Sequence, residues 1–182
     1  AVANLIHHLE NIMAAGEPEP GRIVSIILDG EAVHAAAPLG AGLRYFDGAP
    51  QPPARHTRKL RDWQTRNSTG RLVEKSPPAA MGDRTYSASF VLHEGTFMSG
   101  ITPVLVVRRH DMVTPDLRFE VLELPQPGMV RVLTRWNGKD ELRHLAANMG
   151  DAESWASLNR YSNLVLQLVE DEPVVSTLRR AA

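Results

Sequence analysis

The stretch RTYSASFVLHEGTFMSGITPVLVVRR, at residues 84–109, carries the clearest fold signal in this 182-residue chain. It is rich in β-branched and aromatic residues, and a glycine at position 95 interrupts it close to its middle. Two β-prone runs on either side of a glycine-containing turn are typical of a β-hairpin. We therefore predict antiparallel strands over 84–93 and 99–109, joined by a turn at Glu94-Gly95.

Two further segments, 116–124 and 129–136, extend this pattern into an antiparallel β-meander. They flank the sequence PQPG, whose prolines and glycine favour a turn. Phe119 and Val121 alternate with charged neighbours, as expected of a strand with one buried face.

The chain before this meander is predicted to hold a helix and a second hairpin. Apolar residues recur at three- and four-residue spacing over 2–15, which indicates an amphipathic helix. The segments 22–28 and 31–37 then flank Asp29-Gly30, a pair typical of a type I′ hairpin turn.

Glycine and proline are frequent between residues 38 and 83, and the apolar periodicity disappears there. Loops of this length are uncommon in compact domains and are usually functional or disordered. We predict a long extended or mobile loop over 38–83, with a short helix at 57–66 that carries Leu60 and Trp63 on one side.

Two C-terminal helices are predicted after the meander. Asn137 has the character of an N-cap, with Asp140 three residues later, and Asp151 can cap a second helix. The segment 163–169 fits either a continued helix or a final strand. These elements predict a single α+β domain spanning 1–182.

Composition narrows the chemistry and the compartment. The chain has no cysteine, which excludes a disulfide framework, a cysteine zinc site and a cysteine nucleophile. The longest apolar run, at 104–107, is far shorter than a membrane span requires. A cysteine-free sequence without a visible signal or span predicts a cytoplasmic protein with no membrane contact.

Charge is unevenly distributed, although the net charge of the whole chain is −1. Residues 55–75 contain seven basic residues and two acidic ones, a net charge of +5. Residues 1–54 contain two basic residues and six acidic ones, a net charge of −4. Clustered cations of this kind favour an anionic partner.

The leading hypothesis is a non-enzymatic subunit that binds nucleic acid, with a preference for single strands. Cations neutralise phosphates without reading the sequence, and an aromatic ring among them can stack on an unpaired base. The modest charge excess favours a chain that acts within an oligomer or a larger complex. The predicted nucleic-acid-binding residues are Arg55, Arg58, Lys59, Arg61, Trp63, Arg66, Arg71 and Lys75.

Two other function classes stay open. In a structural or assembly subunit, of a virion or a secretion machine, the 38–83 loop would reach a neighbouring protomer and the acidic N-terminal part would receive it. An enzyme would have to use His93, Glu94 or His110. No cofactor or metal is predicted, since the seven histidines lack metal-binding spacing and the common phosphate-binding and nucleophile motifs do not occur.

Overall fold

The fold is described by a computed structural model, which covers residues 26–99, 102–111 and 116–171. Three helices and eleven strands lie in these residues, and every pair of neighbouring strands there is antiparallel. The predicted α+β class with antiparallel strands is therefore confirmed. The predicted helix at 2–15 lies outside the described residues.

The elements of the described chain have the following bounds, in chain order. They are β1 (Ile27–Leu28), α1 (Gly30–Ala36), β2 (Gly42–Phe46), α2 (Thr57–Gln64), β3 (Ser68–Ser76), β4 (Ala79–Met81), β5 (Arg84–Tyr86), β6 (Ser89–Ser99), β7 (Thr102–Asp111), β8 (Arg118–Glu123), β9 (Val130–Trp136), β10 (Lys139–Ala146), α3 (Met149–Leu158) and β11 (Leu164–Leu168).

Strand β3 is the branch point of the large sheet. Its first residues pair with β2, which continues the sheet to β8 and β1. Its later residues pair with β6, which pairs in turn with β7. Glu74 of β3 also lies opposite Glu141 of β10, and from there the sheet runs on to β9 and β11. Strands β4 and β5 form a separate two-stranded ribbon.

The core lies on both faces of β3, because successive residues of a strand point to opposite sides of the sheet. Leu72 packs into the larger cluster, which also contains the buried rings of Tyr45 and Phe119. Val73 packs into a second cluster that includes Leu142 of β10. The central strand thus holds the two parts of the sheet together.

The predicted hairpin at Asp29-Gly30 is wrong. The Asp29 carboxylate accepts a hydrogen bond of 2.8 Å from the backbone N–H of Ala32 and so caps helix α1. Gly30 is buried in the first turn of that helix, and Leu28 pairs with Phe119 of β8 instead of with a following strand. Aspartate is as favourable at a helix N-cap as in a tight turn, and the distant pairing decides between them.

The long loop predicted over 38–83 is also wrong, because this segment contains β2, α2, β3 and β4. The short helix predicted within it is confirmed at Thr57–Gln64. At Gly70, a side chain would bring its Cβ within 2.9 Å of the Cβ of Leu92 on β6. This glycine allows two strands to approach closely, so it belongs to the sheet and not to a loop.

The first predicted C-terminal helix is replaced by a hairpin. Asn137 and Gly138 have φ angles of 49° and 74°, and they connect β9 to β10. Two successive residues with positive φ are the requirement of a type I′ turn, which Asn-Gly meets readily. The remaining helix, α3, is capped by Asn148 and not by Asp151, and 163–169 proves to contain the strand β11.

All four predicted segments of the meander contain strands, but the turn predicted at Glu94-Gly95 is wrong, since β6 runs on to Ser99, and part of the predicted pairing is wrong as well. Strands β6 and β7 pair with each other, but β6 continues through Glu94-Gly95 with a one-residue shift in register. Strand β8 pairs with β1 and β2, while β9 pairs with β10 and β11, so β8 and β9 are not neighbours. The bulge in β6 increases local twist, which fits a long hairpin that extends from the sheet.

Candidate interaction surfaces

Helix α2 lies on the surface and is attached through one side. Leu60 and Trp63 are half-buried there, and no residue of the helix is fully buried. The indole Nε1 of Trp63 donates a hydrogen bond of 2.8 Å to the backbone oxygen of Ala49. This contact gives the ring a role in holding the helix in place.

A small polar network fixes the end of the same segment. The Asp47 carboxylate accepts hydrogen bonds from the Asn67 amide at 3.0 Å and from the Ala49 backbone N–H at 3.0 Å. It also pairs with the Arg66 guanidinium at 2.9 Å. The donors of Asn67 and Ala49, together with the Arg66 charge, lower the pKa of Asp47 below its ordinary value.

Five of the predicted nucleic-acid-binding residues are exposed in and beside α2, and one of them, Arg66, pairs with Asp47. Arg58, Lys59 and Arg61 form no ion pair with any residue in the described part of the chain. The Nε of Arg55, just before the helix, lies 3.3 Å from the ring Nε2 of His56. We call the surface formed by Arg55, Arg58, Lys59 and Arg61 the basic face.

The other predicted cations are used inside the molecule. Arg71 on β3 pairs with Glu123 at 2.7 Å and donates a hydrogen bond of 2.6 Å to the backbone oxygen of Gly40. Lys75 donates a hydrogen bond of 2.8 Å to the backbone oxygen of His34. The eight predicted residues therefore do not form one site, since these two cations bind strand β3 to its neighbours.

The second surface is the β6–β7 hairpin, whose exposed side chains on both faces are largely apolar. Among the described strands, β7 pairs with β6 alone. Phe97, Val104, Leu105 and Val107 are exposed, at 62%, 44%, 56% and 55% of their surface. We call the side of β7 that pairs with no other described strand, together with its three exposed side chains and the neighbouring Phe97 of β6, the β7 edge.

Sequence reasoning assigned no function to this edge. The signal was present in the apolar run at 104–107, which consists of β-branched and leucine residues alone. Its meaning depends on the strand order, because the same run in an inner strand would be ordinary core.

The arginines that follow the run are already neutralised within the chain. Arg108 pairs with Glu94 at 2.8 Å, and Arg109 pairs with Glu74 at 3.3 Å. The hydroxyl of Tyr45 also donates to Glu94, and burial together with this carboxylate raises the pKa of Tyr45 to about 12. The β7 edge therefore ends in charge pairs and not in free cations.

The three residues considered for an enzymatic site, His93, Glu94 and His110, each contact different partners. The His93 ring lies 3.0 Å from the Thr96 hydroxyl, whereas Glu94 is bound by Tyr45 and Arg108. His110 is buried among the rings of Tyr45, Phe90 and Phe119. In the described residues, no three histidine, aspartate or glutamate side chains form a group that could hold a metal ion.

A cavity of about 420 Å³ lies between the hairpin and β10. Leu105 and Val107 line one side of it, and Glu141 and Arg143 line another. The two charged side chains pair with each other at 2.6 Å. Beside them, the guanidinium of Arg143 lies 5.1 Å from the ring centre of Tyr161. The cavity thus forms the inner side of the same apolar hairpin.

Comparison with known families gives one result. A family model described as Uncharacterised conserved protein UCP036055 matches residues 28–173. The chain belongs to this family. The match contains both the basic face and the β7 edge, so both surfaces lie within the family's shared region. The comparisons with curated proteins and with solved structures gave no significant match.

One further property concerns the helices. In the parts of the chain that the structure describes, none of them has the length and apolar character needed to cross a membrane.

Proposed function

We propose that this chain is a non-enzymatic subunit of a protein assembly, and that a neighbouring subunit joins it at the β7 edge. The observation that supports this function is that, among the described residues, one side of β7 pairs with no strand and four apolar side chains of β6 and β7 are exposed. Assembly was the second hypothesis from the sequence, and it rested there on the 38–83 loop. Because that segment contains β2, α2, β3 and β4, a loop no longer supports the hypothesis. The β7 edge supports it instead.

An uncovered apolar edge is unfavourable in water for two reasons. Its backbone N–H and C=O groups offer a template for another strand, and its side chains expose hydrocarbon. Natural sheets protect such edges with charged side chains, but Arg108 and Arg109 point their charges to partners on β6 and β3. Pro103 removes one backbone donor near the start of β7, and the residues of β7 that follow it contain no further proline.

The expected free energy of association through the β7 edge is moderate. Covering the exposed halves of four large apolar side chains is worth about 3–6 kcal/mol. Association costs at least about 4 kcal/mol in lost translational and rotational freedom. Backbone hydrogen bonds and further contacts must supply the remainder, so we expect an association that depends on concentration.

Sedimentation velocity of the purified chain at rising concentration tests this function. Because an uncovered edge pairs with any available strand, the wild-type chain should associate, and Leu105→Lys with Val107→Lys should remain monomeric. The matched control changes two exposed apolar residues elsewhere, Leu158→Lys with Met81→Lys. The control should associate like the wild type. A wild-type chain that stays monomeric throughout would overturn the proposal.

Nucleic-acid binding is the second candidate function, and the basic face favours it. Leu60 and Trp63 occupy the attached side of α2, so Arg58 and Arg61 project toward solvent. Single strands or duplexes could bind there through their phosphates. In this candidate function, Trp63 holds the helix in place and does not stack on a base. We rank it second because exposed cations are stable in water without a partner, whereas an exposed apolar edge is not.

Fluorescence anisotropy with labelled single-stranded DNA, RNA and duplex, over a series of salt concentrations, tests this candidate. Arg58→Ala with Arg61→Ala should weaken binding to single strands and make the salt dependence shallower by about 1.4 in logarithmic slope. Arg84→Ala with Arg160→Ala removes the same charge from exposed positions outside α2 and should change neither. Equal losses in both variants would exclude the basic face as the contact.

A further inference from the structure

We infer that the neighbour at the β7 edge is a second copy of this chain, whose own β7 pairs antiparallel with it around Val106. The inference rests on the assembly function proposed above and names the partner and the register. The antiparallel arrangement makes the joint two-fold symmetric, with the same surface contributed by both copies.

Charge is compatible with a second copy as the partner and favours the antiparallel direction. The basic residues of β7 are at its C-terminal end, and its middle is uncharged. Antiparallel pairing places Arg108 of one copy opposite Val104 of the other, whereas parallel pairing would place arginine opposite arginine. Like charges directly opposite each other destabilise strand pairs. The carboxylates of Glu94 and Glu74 already neutralise the two arginines, so the second copy meets no net repulsion.

The pleat of the sheet limits the register. Side chains that lie opposite each other must share a face, so a two-fold pair of identical strands is centred on a residue pair of equal number. Val106 is within one residue of the centre of β7 and of the centre of its apolar run. Centring on Val106 places Leu105 of each copy opposite Val107 of the other. Both of these side chains are more than half exposed in the single chain.

The absence of cysteine from the sequence makes a direct test possible. With Val106→Cys, two introduced thiols face each other across the axis, at the Cβ separation of about 4.5–5.5 Å typical of opposed strand residues. That separation is near the range for disulfide formation. We expect mild oxidation to give a covalent dimer in high yield, and we expect Leu158→Cys, at an exposed site on α3, to stay monomeric.

A second measurement does not depend on Val106. Leu105→Cys alone places its two thiols diagonally, about 7–8 Å apart, which is too far for a disulfide without movement. A mixture of Leu105→Cys with Val107→Cys places one thiol of each kind directly opposite the other. The mixture should give a heterodimer, while each variant alone should cross-link weakly. Efficient cross-linking of Leu105→Cys alone would show another register and overturn the inference.

The outcomes separate this inference from the function on which it rests. If sedimentation shows association that needs Leu105 and Val107, and yet neither Val106→Cys nor the mixture cross-links, the inference is wrong and the assembly function stands. If the wild-type chain does not associate at any concentration, both are wrong.

Discussion

Helix α2 and strand β7 are both exposed, and their exposure has opposite consequences. The basic face around α2 presents Arg58, Lys59 and Arg61 to water, which solvates them well. The β7 edge presents the apolar side chains of Leu105 and Val107, and it presents backbone groups that pair with no other strand in the described residues; water solvates both at a cost. Exposure alone therefore does not identify a binding surface. The chemistry of what is exposed decides which surface requires a partner.

The largest expected effect is a loss of stability where β6 of the hairpin packs against β3. Gly70→Ala would place a Cβ 2.9 Å from the Cβ of Leu92 and 3.1 Å from the backbone oxygen of His93, so β6 must shift. We expect a loss of about 1–3 kcal/mol in the free energy of unfolding, with weakened association. Denaturant titration and sedimentation measure the two effects.

Gly95→Ala is the matched control for this change. Its added Cβ would meet the ring of Phe97 at 3.3 Å, and that ring is exposed and can move. The free energy of unfolding should change by less than about 0.5 kcal/mol. Equal destabilisation by both substitutions would contradict the close packing described at Gly70.

Local patterns predicted several elements of this fold, and long-range partners explain most failures. The alternation around Phe119 and Val121 predicted β8, and Leu60 with Trp63 predicted α2. Asp29-Gly30 and Asn137 failed in a related way, because aspartate and asparagine suit both a helix N-cap and a tight turn. The hairpin signal of Asn137-Gly138 was present in the sequence and was outweighed by the apparent capping pattern.

The candidate surfaces were harder to predict for a similar reason. The partner of Arg71 is Glu123, which lies 52 residues away along the chain. The partner of Lys75 is the backbone of His34, 41 residues away. Sequence proximity therefore grouped cations that the fold separates. The status of β7 as an edge depends on the order of all the strands, which no local pattern records.

A second prediction contrasts an anchoring ring with an exposed one. Trp63→Ala removes a half-buried ring and its hydrogen bond to Ala49, so α2 should lose its attachment. The free energy for local opening of 57–64 should fall by about 1–3 kcal/mol. Phe97→Ala should leave the free energy of unfolding within about 0.5 kcal/mol of the wild type and should weaken association. Hydrogen exchange and sedimentation measure these effects. The comparison would be contradicted if Trp63→Ala weakened association and Phe97→Ala destabilised the fold.

Salt should separate the two surfaces without any substitution. Binding of a polyanion to the basic face should weaken steadily with added salt, because counterions are released on binding. Association through the β7 edge should be unchanged or slightly stronger, because apolar burial is not screened and excluded salts strengthen it. Anisotropy and sedimentation over one salt series measure both. Association that disappears at high salt would show that charge, and not the apolar edge, joins the subunits.

The smallest expected effect concerns the Asp47 network that holds the end of the α2 segment. Its folded-state pKa is lowered by the Asn67 amide, the Ala49 N–H and Arg66. The stabilisation is therefore present above the ordinary aspartate pKa of about 3.9 and is lost as the pH falls through the lowered value. In an NMR titration of the carboxyl group, Asn67→Ala should raise the pKa of Asp47 toward the ordinary value. An unchanged value would show that another contact lowers it.

Hydrogen exchange of the wild-type chain at low and at high protein concentration tests the central claim most directly. If a neighbouring subunit joins at the β7 edge, those amides of 104–109 that do not already bond to β6 should exchange more slowly at high concentration, because they gain partners in a second strand. The amides of α2 should exchange at the same rate in both samples. Exchange in β7 that is independent of concentration, or protection that appears in α2 instead, would contradict the account.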